Sequence, residues 1–158
     1  TFSLKVNTKK NPNLKFENRL SYVAQVLISR KFSDKLSLEI APSVFHENTL
    51  RDILDENNAV ILPNPQDNTQ FAVGLGGRYK LTSRWSVNVD YAAHLNRASQ
   101  SNYKNPLSIG VDLETGGHVF QMHFTNAQAM HETGYLGQTV GDWSKGEIAF
   151  GFNLVRVF

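Results

Sequence analysis

Eight stretches of this chain alternate apolar and polar residues one by one, and the links between them are short and long in strict turn. Successive strand side chains point to opposite faces, so each stretch has one apolar and one polar side. Eight in succession predict an all-β, antiparallel, up-and-down sheet of the kind that closes into a barrel. The expected strands cover about 2–9, 16–31, 35–46, 70–82, 85–95, 106–115, 118–126 and 147–158, in one domain of residues 1–158.

The links at Ser33-Asp34, Ser83-Arg84 and Gly116-Gly117 are tight and made of turn-forming residues. Those from Lys10 to Lys15, Glu47 to Gln70, Asn96 to Asn105 and Asn126 to Gly146 are longer. Membrane barrels of the bacterial outer membrane have short periplasmic turns and longer extracellular loops, and this phasing puts the carboxy terminus on the short-turn side. Two residues interrupt the pattern. Pro42 has no N–H for a ladder, so a bulge or bend is expected in the third strand. Gly77 leaves a gap in the apolar stripe of the fourth.

Alternation alone does not say whether the apolar side meets lipid or a buried core, and a soluble calycin-like ligand-binding barrel would alternate too. Three details favour lipid. The polar side carries both charge signs, Lys5, Lys9, Arg19, Arg78 and Lys80 against Glu17, Glu39, Asp90, Asp112, Glu114 and Glu147, a set that can pair across a closed interior. On the apolar side the charges are Arg30 and Arg156, both at strand ends where a long side chain reaches headgroups. Tyr79, Trp85 and Phe158 gather at that same end, as one side of an aromatic belt does. The reading is therefore a transmembrane β-barrel. Leu38, Val89, Ile109, Phe150 and Phe152 are expected to face lipid, and Lys5, Arg19, Glu39, Arg78, Asp90, His94, Asp112, His123 and Glu147 to form a polar network in the lumen.

Composition excludes several alternatives. A net charge of +2 without a basic stripe gives no reason to expect nucleic acid. The absence of cysteine removes disulfides, thiolate zinc sites and cysteine nucleophiles. No apolar run approaches the ~20 residues of a membrane helix, which leaves strands, needing only ~9–11 residues, as the means of crossing. The chain opens at Thr1 directly into a strand pattern, without a visible signal peptide, and so reads as a mature or truncated product.

The last strand sets Ile148, Phe150, Phe152, Leu154 and Phe158 on one side and ends on that aromatic residue. It resembles the sorting and assembly signal of outer-membrane barrels, which implies recognition of Phe158 by the barrel assembly machinery. The phrases Glu114 to Asn126, Gly141-Asp142-Trp143, Phe150-Gly151-Phe152-Asn153 and Arg156-Val157-Phe158 resemble a Bacteroidota family of outer-membrane β-barrel proteins of unknown function. Arg19-Leu20-Ser21-Tyr22, Ser29 to Asp34 and Gly74 to Arg78 match it as well. The resemblance covers most of the chain and is weakest between Glu47 and Gln70. Members of that family look longer, which implies further strands ahead of this portion. The resemblance implies a fold and an outer-membrane location, and it carries no catalytic residues.

Candidate chemistry is sparse. His118 and His123 fall on opposite strand faces. His94 and His123 share the lumenal side with Asp90 and Asp112, where lumenal hydrogen bonding outweighs a metal site, so no metal and no cofactor is expected. In the link from Glu47 to Gln70, Leu50 to Glu56 has the composition of one or two helical turns, and Asp52, Asp55, Glu56 and Asp67 lack the spacing of a calcium loop. The apolar run Ala59 to Leu62 is expected to cap the barrel mouth or meet a partner. His131, Glu132, Asp142 and Ser144 supply triad-type residues, but no signature surrounds the serine and solvated-loop chemistry explains them. The favoured reading is a non-enzymatic outer-membrane barrel, an accessory or scaffold component contacting outer-membrane lipid and other envelope proteins. A narrow channel for small polar solutes is second, and a barrel enzyme acting on lipid or peptide third.

Overall fold

A computed structural model describes residues 1–6, 15–48 and 66–156, with the backbone of Ile53–Leu54 and Val60–Leu62. The strands are β1 (Phe2–Val6), β2 (Leu20–Gln25), β3 (Ile28–Lys31), β4 (Leu36–Glu47), β5 (Ile53–Leu54), β6 (Val60–Leu62), β7 (Thr69–Lys80), β8 (Trp85–His94), β9 (Leu107–Glu114), β10 (His118–Thr125) and β11 (Ala149–Arg156). The main sheet is antiparallel throughout and runs β1-β2-β4-β7-β8-β9-β10-β11, with β3 beside β4. Taking β2 and β3 as two halves of one interrupted strand and setting aside the β5–β6 ladder in the link, the strands pair in sequence order, as up-and-down topology demands. Among the described residues β1 and β11 do not pair with each other, so the sheet is a curled half-barrel with two free edges.

The tight turns are closed by local hydroxyls and one left-handed glycine. Ser33 accepts from the backbone of Leu36 at 3.0 Å, and Thr82 from that of Trp85 at 3.0 Å. Gly116 has φ of 61°, a conformation that costs a glycine nothing.

The anomaly at Pro42 falls in a different strand from the one expected. β4 is continuous, and its register against β7 holds from Leu36↔Tyr79 to His46↔Thr69. The break lies in the neighbour, where β2 ends at Gln25 and β3 begins at Ile28. Both keep one register on β4, with Gln25↔Ser43 and Ile28↔Ile40. Val26 donates to the Pro42 carbonyl at 3.1 Å, but proline has no N–H to return. A bond is missing, and no residue is inserted. Gly77 lies between Leu38 and Val89 in the register, and the Leu38 side chain covers the gap it leaves.

Two other expectations are corrected. Residues 17–19 form a 3-10 turn, so the second strand starts at Leu20 and not at Phe16. Ile53–Leu54 pairs with Val60–Leu62 as a two-stranded ladder where a helical turn was expected. The strand ends at 7–9 and 157–158, including Phe158, and the acidic residues 52, 55 and 56 lie outside the described residues.

Burial is inverted relative to a water-soluble fold. Leu38, Val89, Ile109, Phe150 and Phe152 are exposed, as are Phe2, Ile40, Leu75, Phe124 and Leu154. Glu47, Gln70, Ser86 and Asp112 are buried on the opposite face. A soluble protein seldom buries carboxylates while exposing a continuous aromatic and aliphatic surface; a lipid-facing sheet does both.

Candidate functional site

The link between β10 and β11 does not stay in solvent. It enters the concave face of the sheet, where Glu132–Gly137 form a short helix, α1. Leu136 is 3% exposed and packs with Val23, Phe45, Ala72 and Ala92. The wall there is built of small residues, since Ala41, Ala72 and Ala92 are all buried and Gly74 lies beside Ala41. Gly137 brings the helix against the Phe45 ring, and a Cβ there would lie 2.9 Å from it. The tight fit needs glycine on one side and alanines on the other.

Polar bonds fix the segment at several strands. Ser3 of β1 donates to Glu132 at 2.8 Å, and Lys5 Nζ lies 2.9 Å from His131 Nε2. Gln138 donates to the buried Glu47 at the end of β4, 2.8 Å away. The Tyr135 hydroxyl donates to Asp90 of β8. In a flat sheet β1 and β8 would be four strand spacings, roughly 19 Å, apart. One six-residue helix reaches both because the sheet curls around it. The neck is closed by Asn126, whose amide donates to the carbonyls of Asn105 and Gly141 at 3.0 and 2.9 Å.

The charges on the segment are tuned by these contacts. Glu132 is held below the usual carboxylate range by its own backbone N–H and the Ser3 hydroxyl. His131 is pushed below the ordinary histidine value by burial and then by the Lys5 charge. Its Nδ1 accepts from the Gly134 N–H at 2.9 Å, which puts the single ring proton of the neutral form on Nε2, beside Lys5 Nζ. The seat also leaves Gln70 Nε2 and both ring nitrogens of His94 buried without a partner. Such orphaned groups each cost about 1–3 kcal/mol.

Beneath Tyr135 the concave face is polar. Arg78 donates to Ser86 at 2.9 Å and lies 3.7 Å from Asp112, which also accepts from Gln121 at 3.4 Å. A cavity of about 460 Å³ lies here, lined by these strands and roofed by Tyr135. A second, of about 410 Å³, lies between the segment and the wall at Glu39, Gly74 and Asp90.

The structure therefore divides the sequence-derived lumenal set. Arg78 and Asp112 are brought together, with Asp90 and His123 on the same cavity. Lys5 and Asp90 meet the inward segment, and Glu39 lines the second cavity. His94 is not with His123; its ring tilts against Phe45 at 5.4 Å. Arg19 stands at the rim in the 3-10 turn. Glu147 is exposed and accepts from the backbone of Asp142 at 3.1 Å, outside the Arg78 group. Among the described residues no cluster of three histidine or acidic side chains could hold a metal ion.

Two of the triad-type residues act as caps. His131 caps α1, and Asp142 accepts from both the amide and the hydroxyl of Ser144 at 2.9 and 2.6 Å. The Ser144 hydroxyl thus donates to the Asp142 carboxylate, and among the described residues no histidine hydrogen-bonds to it. Sequence reasoning missed Glu47, Gln70, Tyr135, Leu136 and Gln138. Two signals were present: a Gly-Tyr-Leu-Gly run within a polar link, and alanines at the long-link ends of lumenal strand faces.

A family model described as "Membrane bound beta barrel domain (DUF5777)" matches residues 1–158. No curated protein and no solved structure matches the chain.

Proposed function

Since the chain belongs to the family of membrane-bound β-barrel domains named DUF5777, we propose that it works as a non-catalytic barrel of the bacterial outer membrane, its lumen occluded by its own inward segment. One observation carries this reading: Tyr135 and Leu136, ten or more residues from the ends of both flanking strands, β10 and β11, are seated on the concave wall. A barrel filled in this way is suited to an accessory or scaffold role in an envelope complex, where its outer surface and rims make the contacts. The outer-membrane and Bacteroidota assignments rest on the resemblance of Glu114 to Asn126 and of the carboxy-terminal strand. Recognition by the barrel assembly machinery is proposed on Phe158.

Hydrocarbon does not tolerate unpaired strand edges, so the outer edges of β1 and β11 require strand partners in the membrane. Planar-bilayer recording of the purified protein tests the occluded reading. A silent baseline is expected, and reproducible unitary steps would replace it with the second reading, a narrow channel for small polar solutes. That alternative draws on the polar cavity of about 460 Å³ below Tyr135.

A further inference from the structure

The groups around the lower cavity fall into two sets. Arg78, Asp112, Ser86 and Gln121 satisfy one another, and Asp90 takes the Tyr135 hydroxyl. Asn88, His123 and Asn153 line the same space and make no hydrogen bond within the described residues. Asn88 and His123 both register with Gly110, one from each side. They are thus two strand spacings apart, roughly 10 Å, across a position without a side chain. That position must stay empty: a Cβ on Gly110 would lie 2.8 Å from the Met122 carbonyl and 3.0 Å from the His123 Cβ.

From this arrangement we infer that the lower lumen is a binding chamber for a neutral, hydroxyl-rich solute of sugar type, held by Asn88, His123 and Asn153 under the Tyr135 roof. Carboxamides donate and accept, and imidazole ring nitrogens can do either, which matches hydroxyl groups that do the same. Among the described residues lining the space, Arg78 is matched by Asp112, and the Asp90 carboxylate stands there as well. Anions are disfavoured there. The volume of about 460 Å³ lies within the range of small-molecule sites, about 300–1,000 Å³. The inference rests on the lumenal reading above and adds the solute class.

The test is titration calorimetry of the detergent-purified protein with glucose, trehalose and glucuronate, with saturation-transfer NMR on the same samples. Saturable binding of glucose or trehalose is expected, at least tenfold weaker in Asn88→Ala/Asn153→Ala, with glucuronate not binding. Asn88→Ser alone is the companion variant should the double change fail to fold, folding being checked by heat-dependent gel mobility. Three outcomes would overturn the chamber: no saturable binding of either neutral sugar, unchanged binding in the variants, or tighter binding of glucuronate. Bilayer recording on the same preparation separates the two readings. Unitary steps with sugar binding remove occlusion alone, and silence without sugar binding removes the chamber alone.

Discussion

The hydroxyl of Tyr135 donates to Oδ1 of Asp90, tying α1 to β8 across 45 residues of chain. It joins the inward segment to the polar half of the lumen. Tyr135→Phe keeps the ring and deletes the donor, at a cost of about 1 kcal/mol or more for a bond to a carboxylate. Amide exchange in residues 132–137 should accelerate by about fivefold while the strands stay protected. Unchanged exchange would mean that the bond does not hold the segment.

Leu136 supplies the apolar part of the same seat. A buried Leu→Ala change costs about 2–5 kcal/mol, and the surrounding alanines cannot close the space. Leu136→Ala should therefore unseat α1 more completely than Tyr135→Phe. In bilayers it is expected to convert a silent protein into one with transient openings, and a protein as silent as the parent would argue that other bonds alone close the lumen.

Seating should weaken in acid. Burial and Lys5 hold seated His131 below the ordinary histidine value, which the ring regains on release. Between the two values the released form binds more protons, so seating is fully favoured above the ordinary value of 6.5 and declines as pH falls below it. The added proton would also have to displace the Gly134 N–H from Nδ1 and would set a second positive charge beside Lys5. Exchange at residues 132–137, corrected for intrinsic pH effects, should be faster at about pH 5.5 than at about pH 7.5, and His131→Gln should flatten the difference. A flat profile in the parent would remove His131 from the latch.

Phe152 and Asn153 are adjacent and face opposite environments. Phe152 belongs to the exposed apolar surface, whereas Asn153 lines the polar cavity. Phe152→Arg places a cation against acyl chains, costing about 2–4 kcal/mol at the midplane. Refolding into lipid vesicles should fail or slow for Phe152→Arg and proceed for Asn153→Asp. Equal yields would contradict the assignment of faces.

The strands were legible because alternation is local: Phe150, Phe152 and Leu154 declare an outward face by spacing alone. The short turns were legible for the same reason. Pro42 was legible as a defect but assigned to its own strand, since the donor it lacks belongs to the bond with Val26, a partner known only once the ladder is formed. The lumenal set was half legible. Parity puts Arg78, Asp112 and His123 on one face, yet it cannot say that Arg78 pairs with Asp112 two strands away while Glu147 turns to its own link.

The sequence by itself determined the strand faces, the order of pairing and the end carrying the long links, because each follows from period-two spacing and link length. Only the tertiary structure decided what fills the interior. Seating Leu136 against Val23, Phe45, Ala72 and Ala92 joins residues from four strands and one link, and that contact exists only where the sheet curls enough to bring them within reach. Curvature is a property of the assembled ladder, and no single segment encodes it.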